Sequence, residues 1–423
     1  MNKPKPVFGS TLVLGAGPVG LVLYTLLAQG WADNIALMTR DGKSLKRLKD
    51  NLDKAQGVIE SRTPLSDYPM LNAKTIFRKT EFLLDNIQDK WESIFLCIPC
   101  TGYLSVAKKL STLRKIKQII LVSPEFGSAD LLQHELKENP IEIISLSNYI
   151  GASLRSATEP GVINTLGVKK HVYSGGSRGC SGSGFKAVRC FFDALNIHVH
   201  TCDTEKEAES KNITSFVHLP FLFNDFSLRE VFSLQSSNKC IYKLYPQGPI
   251  TMRSISNMLD LHYEISLIYR KLYVPTFNLL EFLNANYPVP EEAIARKDIT
   301  NFPNFNHEKQ AYLLYVRYAT LLIDPYSQPD REGRYLEFSK FPYQQIYQFN
   351  GLWYIPRVPL EDYKKLELLY ALSKIYSTKN TMMQEMLTCY KKAYTKFTNL
   401  VGEENVQLDC RLCERNEEAQ NIG

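Results

Sequence analysis

The stretch Thr11–Gly20, TLVLGAGPVG, constrains the fold of this chain more than any other. Thr11 to Leu14 are mostly apolar, as in a buried parallel strand, and Gly15, Gly17 and Gly20 follow in G-x-G-x-x-G spacing. Each glycine has a physical task. Gly15 permits the tight turn out of the strand, Gly17 lets the backbone approach a pyrophosphate, and Gly20 lets the next helix pack on the sheet. Pro18 fits the first helical turn, where a missing N–H loses no partner. Val19 to Ala28 then reads as an apolar helix whose N-terminus faces the phosphates. The motif is weak by itself. Placed after a strand and before a helix, it predicts a dinucleotide site made by Gly15, Ala16, Gly17, Pro18 and Val19.

The uncharged run Ser10–Ala32, preceded by Lys3 and Lys5, also has the outline of a signal peptide or a membrane span. The strand–turn–helix reading accounts for its glycines and its proline, and the other readings do not. No second stretch is long and apolar enough to span a bilayer, so a cytoplasmic protein without membrane partners is expected. The formal charge of +6 comes from 50 Lys and Arg against 44 Asp and Glu spread along the chain. That balance argues against a nucleic-acid partner and suits phosphate or carboxylate ligands. The nine cysteines are an odd number and include two C-x-x-C pairs, Cys97 with Cys100 and Cys410 with Cys413. Nothing in the spacing brings the pairs together, so they read as reduced thiols and no metal site is expected.

Asn34–Thr39 reads as the second strand, and Arg40 stands 20 positions after Gly20. An NAD-binding fold usually carries an acidic residue there for the ribose 2′-hydroxyl. Arg40, with Lys43, Lys46 and Arg47 close behind, predicts a 2′-phosphate pocket and therefore NADPH. The competing reading is a solvated start to the helix Ser44–Ala55. Further β-branched runs at Ser93–Ile98, Gln118–Ser123 and Ile141–Ser147 alternate with helical stretches, which indicates an α/β doubly wound parallel sheet. Ligands bind off the carboxyl ends of such strands. This places Pro99, Cys100, Thr101, Pro124 and the loop Asn148–Ala152 around the cofactor. Lys169–Tyr173 and Ile197–Thr201 read as later strands. The glycine-rich SGGSRGCSGSG between them, Ser174–Gly184, reads as a flexible connector because it lacks a P-loop ending. From Thr204 long amphipathic helices dominate, among them Ser254–Tyr273, Gln310–Leu322 and Tyr363–Ser377. Two domains follow, 1–203 and 204–423, with a polar tail from Gly402 expected to fray.

Of the seven histidines, His134, His171 and His307 read as surface residues. His198 and His200 alternate on a strand without identifiable further ligands, and His262 lies on an apolar helical face. His218 lies in VHLPFLFNDFS, where the nucleotide domain gives way to the helical one, and is the candidate for acid–base work.

VHLPFLFNDFS, YKLYPQGPITM (Tyr242–Met252) and LLYVRYATLLIDPYSQPD (Leu313–Asp330) together resemble the opine metallophore dehydrogenases, which make staphylopine, pseudopaline and yersinopine. The likeness runs from LGAGPVG through SPEFGS and GVKK to the C-terminal helices and is nearest to the yersinopine type. It implies a Rossmann domain followed by a mainly helical opine-dehydrogenase domain, as a homodimer. It implies a reaction in which the primary amine of an aminobutyrate-extended histidine condenses with pyruvate or 2-oxoglutarate and NADPH reduces the imine. The metal would belong to the product. By position, His218 falls on the family's catalytic histidine, and Arg40 and Lys43 on its basic cofactor selectors. Asp324, in the apolar-flanked IDP, is the candidate partner of His218, with Asp225 as the alternative. Asn148, Tyr149, Ala152 and Asn224 are the substrate-binding candidates, and Ala152 stands where the staphylopine-type sequence has aspartate. Two other readings share these features: an NADP-dependent hydroxyacid or sugar-acid dehydrogenase, and an NADP(H)-sensing regulator without turnover.

Overall fold

A computed structural model describes residues 6–40, 42–77, 87–137, 140–323 and 341–423. The chain divides into two compact units, Met1–Asn212 and Ile213–Gly423.

The first unit runs β1 (Ser10–Leu14), α1 (Pro18–Leu27), β2 (Asn34–Met38), α2 (Lys43–Lys54), β3 (Val58–Arg62), β4 (Ala73–Ile76), β5 (Ser93–Leu96), α3 (Tyr103–Leu110), β6 (Gln118–Val122), α4 (Ser128–Glu135), β7 (Glu142–Leu146), β8 (Gly151–Arg155), β9 (Val162–Val168), β10 (His171–Gly176), α5 (Ser183–Ala194), β11 (His198–Thr201) and α6 (Glu205–Ser210). Seven strands form the main sheet in the order β11-β10-β7-β6-β5-β1-β2. The five from β7 to β2 are parallel, as expected, whereas β10 lies antiparallel to β7. Strands β5, β6 and β7 are buried along their whole length, because helices cover both faces of a parallel sheet. The pleat sends Val13, Phe95, Ile120 and Ile144 to one core and Leu12, Ile94, Ile119 and Ile143 to the other. Each such side chain, fully buried, stabilises the fold by about 1.5–3 kcal/mol. This is the Rossmann arrangement.

A second sheet, β4-β3-β9-β8, was not legible in the sequence. Helix α1 packs on β2 of the main sheet and also on β3, β4 and β8 of the second. The stretch Asn148–Ala152, read above as a loop, therefore ends in strand: Ala152 pairs with Gly167 on β9, next to a register shift between Ala152 and Ser153.

The division between the units falls nine residues beyond the expected 203/204 boundary. Helix α6 has a polar sequence, EKEAES, but packs on β7 and β10 of the first unit. Its Glu209, 1% exposed, accepts hydrogen bonds from the Gly127 and Ala129 N–H groups at 2.8 and 2.9 Å and from Ser145 Oγ at 2.8 Å. A carboxylate so placed satisfies the first N–H groups of α4. The glycine-rich connector is likewise built into the fold. Glu142 accepts from the Gly184 and Phe185 N–H groups at the start of α5, both at 3.0 Å.

The second unit comprises α7 (Thr214–Leu222), α8 (Asp225–Val231), α9 (Met252–Lys271), α10 (Leu279–Asn286), α11 (Arg296–Asn301), α12 (His307–Ile323), a hairpin of β12 (Tyr347–Phe349) and β13 (Leu352–Tyr354), α13 (Arg357–Ile375), α14 (Thr381–Val401) and α15 (Asn416–Gln420). Helix α9 is its axis. A Thr251–Ser254 capping box starts it, Arg270 and Lys271 end it, and Ile255, Met258, Ile265 and Ile268 are buried along its length. It packs against α7, α12, α13 and α14. The C-terminal tail does not fray: α15 packs on α13, Ile422 is 2% exposed, and Tyr376 donates to its carbonyl at 3.1 Å. No helix among the described residues is long and apolar enough to cross a membrane.

Candidate active site

The glycine turn has the geometry its sequence predicts. Gly15 has φ +116°, and its N–H donates to the Met38 carbonyl at 2.8 Å. A Cβ on Gly20 would stand 2.0 Å from the Gly15 carbonyl oxygen, so only glycine lets α1 start so close to the strand end. A Cβ on Gly17 would meet nothing within 4 Å, which leaves that side of the turn open to a ligand. Gly17 is also the N-cap of α1, and no side chain caps the helix there. With Pro18 at the first position, the N-terminus of α1 has the uncapped form that favours anions at helix ends.

Arg40 follows the end of β2 and is exposed. Helix α2 opens at Gly42 with Lys43, whose side chain lies outside the described ones, and carries exposed Lys46 and Arg47. Its first turn holds no acidic residue. The carboxyl ends of β5 and β6 lead into Pro99, half-buried, Cys100, buried, Thr101, exposed, and Pro124, buried. The Pro124 carbonyl accepts from Asn212 at 2.6 Å, and Ser123 adopts φ +61° in the same turn. Beyond β7, Asn148 is buried and accepts from the Tyr149 N–H at 3.0 Å.

At the edge of this sheet His171 supplies the neighbour that His198 and His200 lacked in the sequence. His200 Nε2 lies 3.1 Å from His171 Nδ1, and Tyr173 stacks on the His200 ring. Among the described residues no group of three or more metal-ligating side chains forms.

In the second unit His218 lies on α7, with its side chain 18% exposed. Its Nδ1 stands 3.1 and 3.2 Å from the two carboxylate oxygens of Asp362, which is 2% exposed on α13. One helical turn away, Lys365 donates to Thr214 Oγ1 at 3.1 Å, so the same two helices are joined twice. The candidate Asp324 lies outside the described residues. The alternative, Asp225, does not reach His218 and instead lies 3.6 Å from the Cys389 thiol. Asn224 is the N-cap of α8: its oxygen accepts from Ser227 at 2.9 Å, and its nitrogen reaches the Pro220 and Phe221 carbonyls at 3.2 and 3.0 Å. Both ends of that amide are committed to the backbone.

Two residues absent from the sequence reading join these groups. Asp362 is one. Arg155, at the end of β8, is the other, and its guanidinium donates to the Ala16 carbonyl in the glycine turn.

Residues 9–422 match the staphylopine dehydrogenase family. The chain belongs to that family. It is 32% identical over 409 residues to the pseudopaline synthase of Pseudomonas aeruginosa, covering 95% of this chain and 94% of that one. The staphylopine synthase of Staphylococcus aureus is 31% identical over 398 residues, covering 92% of each chain. A yersinopine dehydrogenase solved with NADP+ bound superimposes with a TM-score of 0.88 at 26% identity, covering 98% of each chain. Like these dehydrogenases, this member of the family is an oxidoreductase.

Proposed function

We propose that this chain joins the primary amine of an aminobutyrate-extended histidine to the carbonyl of pyruvate or 2-oxoglutarate and reduces the resulting imine with NADPH. The His218–Asp362 pair carries the reading, since reductive condensation needs a group that both takes and returns protons. The NADP+ found in the yersinopine dehydrogenase supports the cofactor. So do the open side of Gly17, the side-chain-free N-terminus of α1 and the base at the end of β2.

When bound, NADPH supplies the hydride that reduces the imine carbon. The turn N–H groups from Gly17 to Gly20, Pro18 lacking one, would hold the pyrophosphate, and Arg40 would bind the 2′-phosphate through paired, charge-assisted hydrogen bonds, with Lys43 the second basic candidate of the sequence. Pro99, Cys100, Thr101 and Pro124 border the cofactor from the strand ends, and Asn148, Tyr149 and Ala152 border the substrate. Asp362 holds Nδ1–H of His218, which fixes the tautomer and leaves Nε2 for proton exchange. Nε2 takes a proton from the ammonium so that the amine attacks, then returns it to the carbinolamine hydroxyl so that water leaves. Loss of water leaves an iminium whose nitrogen keeps its own hydrogen, so reduction at carbon completes the secondary amine. The product is a secondary amine bearing carboxylates and an imidazole, a donor set suited to zinc, nickel, cobalt or copper.

Purified protein, NADPH and each keto acid, with and without the amine, provide the test. The expected result is amine-dependent loss of absorbance at the reduced-nicotinamide band, with a product mass equal to amine plus keto acid, minus water, plus two hydrogens. Oxidation independent of the amine would instead mark a hydroxyacid or sugar-acid dehydrogenase, and binding without oxidation a sensor.

A further inference from the structure

Arg155 has a setting that a merely structural arginine does not need. It reaches from β8 of the second sheet to the Ala16 carbonyl, 139 residues away in sequence. It shares a small cleft with Leu21 of α1 and with Leu48, Asn51 and Leu52 of α2. Arg47, one residue before Leu48, adds a second positive charge close enough to act on it. Among the described residues no carboxylate pairs with Arg155. Glu159 lines the same cleft but is held by Arg62 through two contacts of 2.8 Å. The guanidinium is half-buried, and burial, then Arg47, push it down to about 10 from the ordinary 12.5. A guanidinium has five N–H donors and no acceptor, and this one uses a single backbone carbonyl. Two like charges held beside a carbonyl, with no counter-carboxylate, are unfavourable until an anion joins them.

The anion follows from position. In this fold the pyrophosphate lies at the N-terminus of the first helix, and the adenosine ribose lies between the glycine turn and the end of the second strand. Arg155 touches the turn at Ala16 and borders α2, and Arg40 stands at the end of β2. Both therefore lie at the ribose end. We propose that Arg155, delivered by the second sheet, is a specificity residue for the 2′-phosphate of NADPH and acts together with Arg40. The inference rests on the cofactor reading given above. The planar fork lets Arg155 keep its bond to Ala16 while its remaining N–H groups turn to the phosphate. The second sheet then has a function beyond covering α1: it brings a third element to a pocket otherwise built by the turn and β2.

Equilibrium binding of NADPH, NADH, 2′,5′-ADP and 5′-AMP, followed by fluorescence or calorimetry without turnover, tests the assignment. Arg155→Met keeps the length and removes the charge. It is expected to weaken NADPH and 2′,5′-ADP by about 10–100-fold, the range for lost hydrogen bonds to a charged group. NADH and 5′-AMP are expected to change by less than about threefold, since the phosphate-free ligands offer the charge no partner. Arg155→Lys keeps a cation and its packing but not the fork, and should lower the NADPH-over-NADH preference by an intermediate factor with the apo melting temperature unchanged. Equal losses for NADPH and NADH, or a preference preserved in both variants, would overturn the assignment of Arg155 alone. A wild-type protein that binds NADPH no more tightly than NADH would remove the cofactor reading, and this proposal with it.

Discussion

Asp362 Oδ2 lies 3.1 Å from His218 Nδ1, across 144 residues of sequence, on a helix that is joined to the histidine's own helix a second time by Lys365 and Thr214. The carboxylate is almost wholly buried and the imidazole partly exposed, an order that suits a residue which holds another in place.

This pair gives the first prediction. General acid–base catalysis contributes about 10²–10⁴-fold, so His218→Gln should lower kcat by that factor while NADPH binding persists. Asp362→Asn can present its N–H to Nδ1 and impose the wrong tautomer. It should lower kcat by at least about 10²-fold with a smaller effect on KM. Steady-state kinetics beside cofactor titration separate the two quantities. A His218→Gln enzyme that keeps more than about a tenth of wild-type kcat would exclude the histidine from the chemistry.

Arg40 gives the second. Arg40→Ala should raise the NADPH KM by one to two orders of magnitude, each factor of ten being about 1.4 kcal/mol, and leave NADH kinetics nearly unchanged. Equal effects on both cofactors would place Arg40 outside the 2′-phosphate pocket.

Gly20 gives a prediction about stability. A methyl group there would stand 2.0 Å from the Gly15 carbonyl oxygen, and a backbone atom cannot swing aside. Gly20→Ala should destabilise the first unit by about 1–3 kcal/mol, the usual cost of overpacking, and weaken dinucleotide binding as α1 shifts. Urea unfolding measures the first effect and cofactor titration the second. An unchanged unfolding midpoint would mean that α1 starts farther from the turn.

The fourth prediction concerns pH. Burial, then the nearby Asp130, holds the Glu209 carboxyl well above its ordinary 4.5. The folded chain therefore retains a proton that the unfolded chain loses. This contribution to stability is complete below about 4.5 and is lost as pH rises through the raised value. Unfolding midpoints measured from mildly acidic to mildly alkaline pH should fall more steeply for the wild type than for Glu209→Gln. Parallel curves would show that Glu209 ionises as freely in the folded chain as in the unfolded one.

The parallel sheet and its glycine turn were legible because buried strands such as SIFL and QIILV are continuous apolar runs, and because the turn needs glycine at fixed positions. The second sheet was not. Its strands AKTI and GASLR are short and part-exposed, with Ile76 68% and Leu154 46% exposed, so neither apolar alternation nor a continuous run marks them. His218 could be singled out by its place between two regions of different texture, but its partner could not. Asp362 sits in EDYKK, which reads as the solvated face of a helix. Only the approach of α13 to α7 turns that face inward. Helix α6 misled for the same reason, because its charged sequence conceals one carboxylate that caps α4 from inside the sheet domain.

The side chains of Glu209 and Glu142 at the starts of α4 and α5 have a practical consequence at the bench. Oxyanions in the solvent find the N–H groups at those two helix ends already taken by side-chain oxygens, whereas α1 offers its N–H groups with no side chain over them. Sulfate and phosphate buffers will therefore act on this protein as competitors for the dinucleotide site, and affinities measured in them will understate those measured in chloride at equal ionic strength.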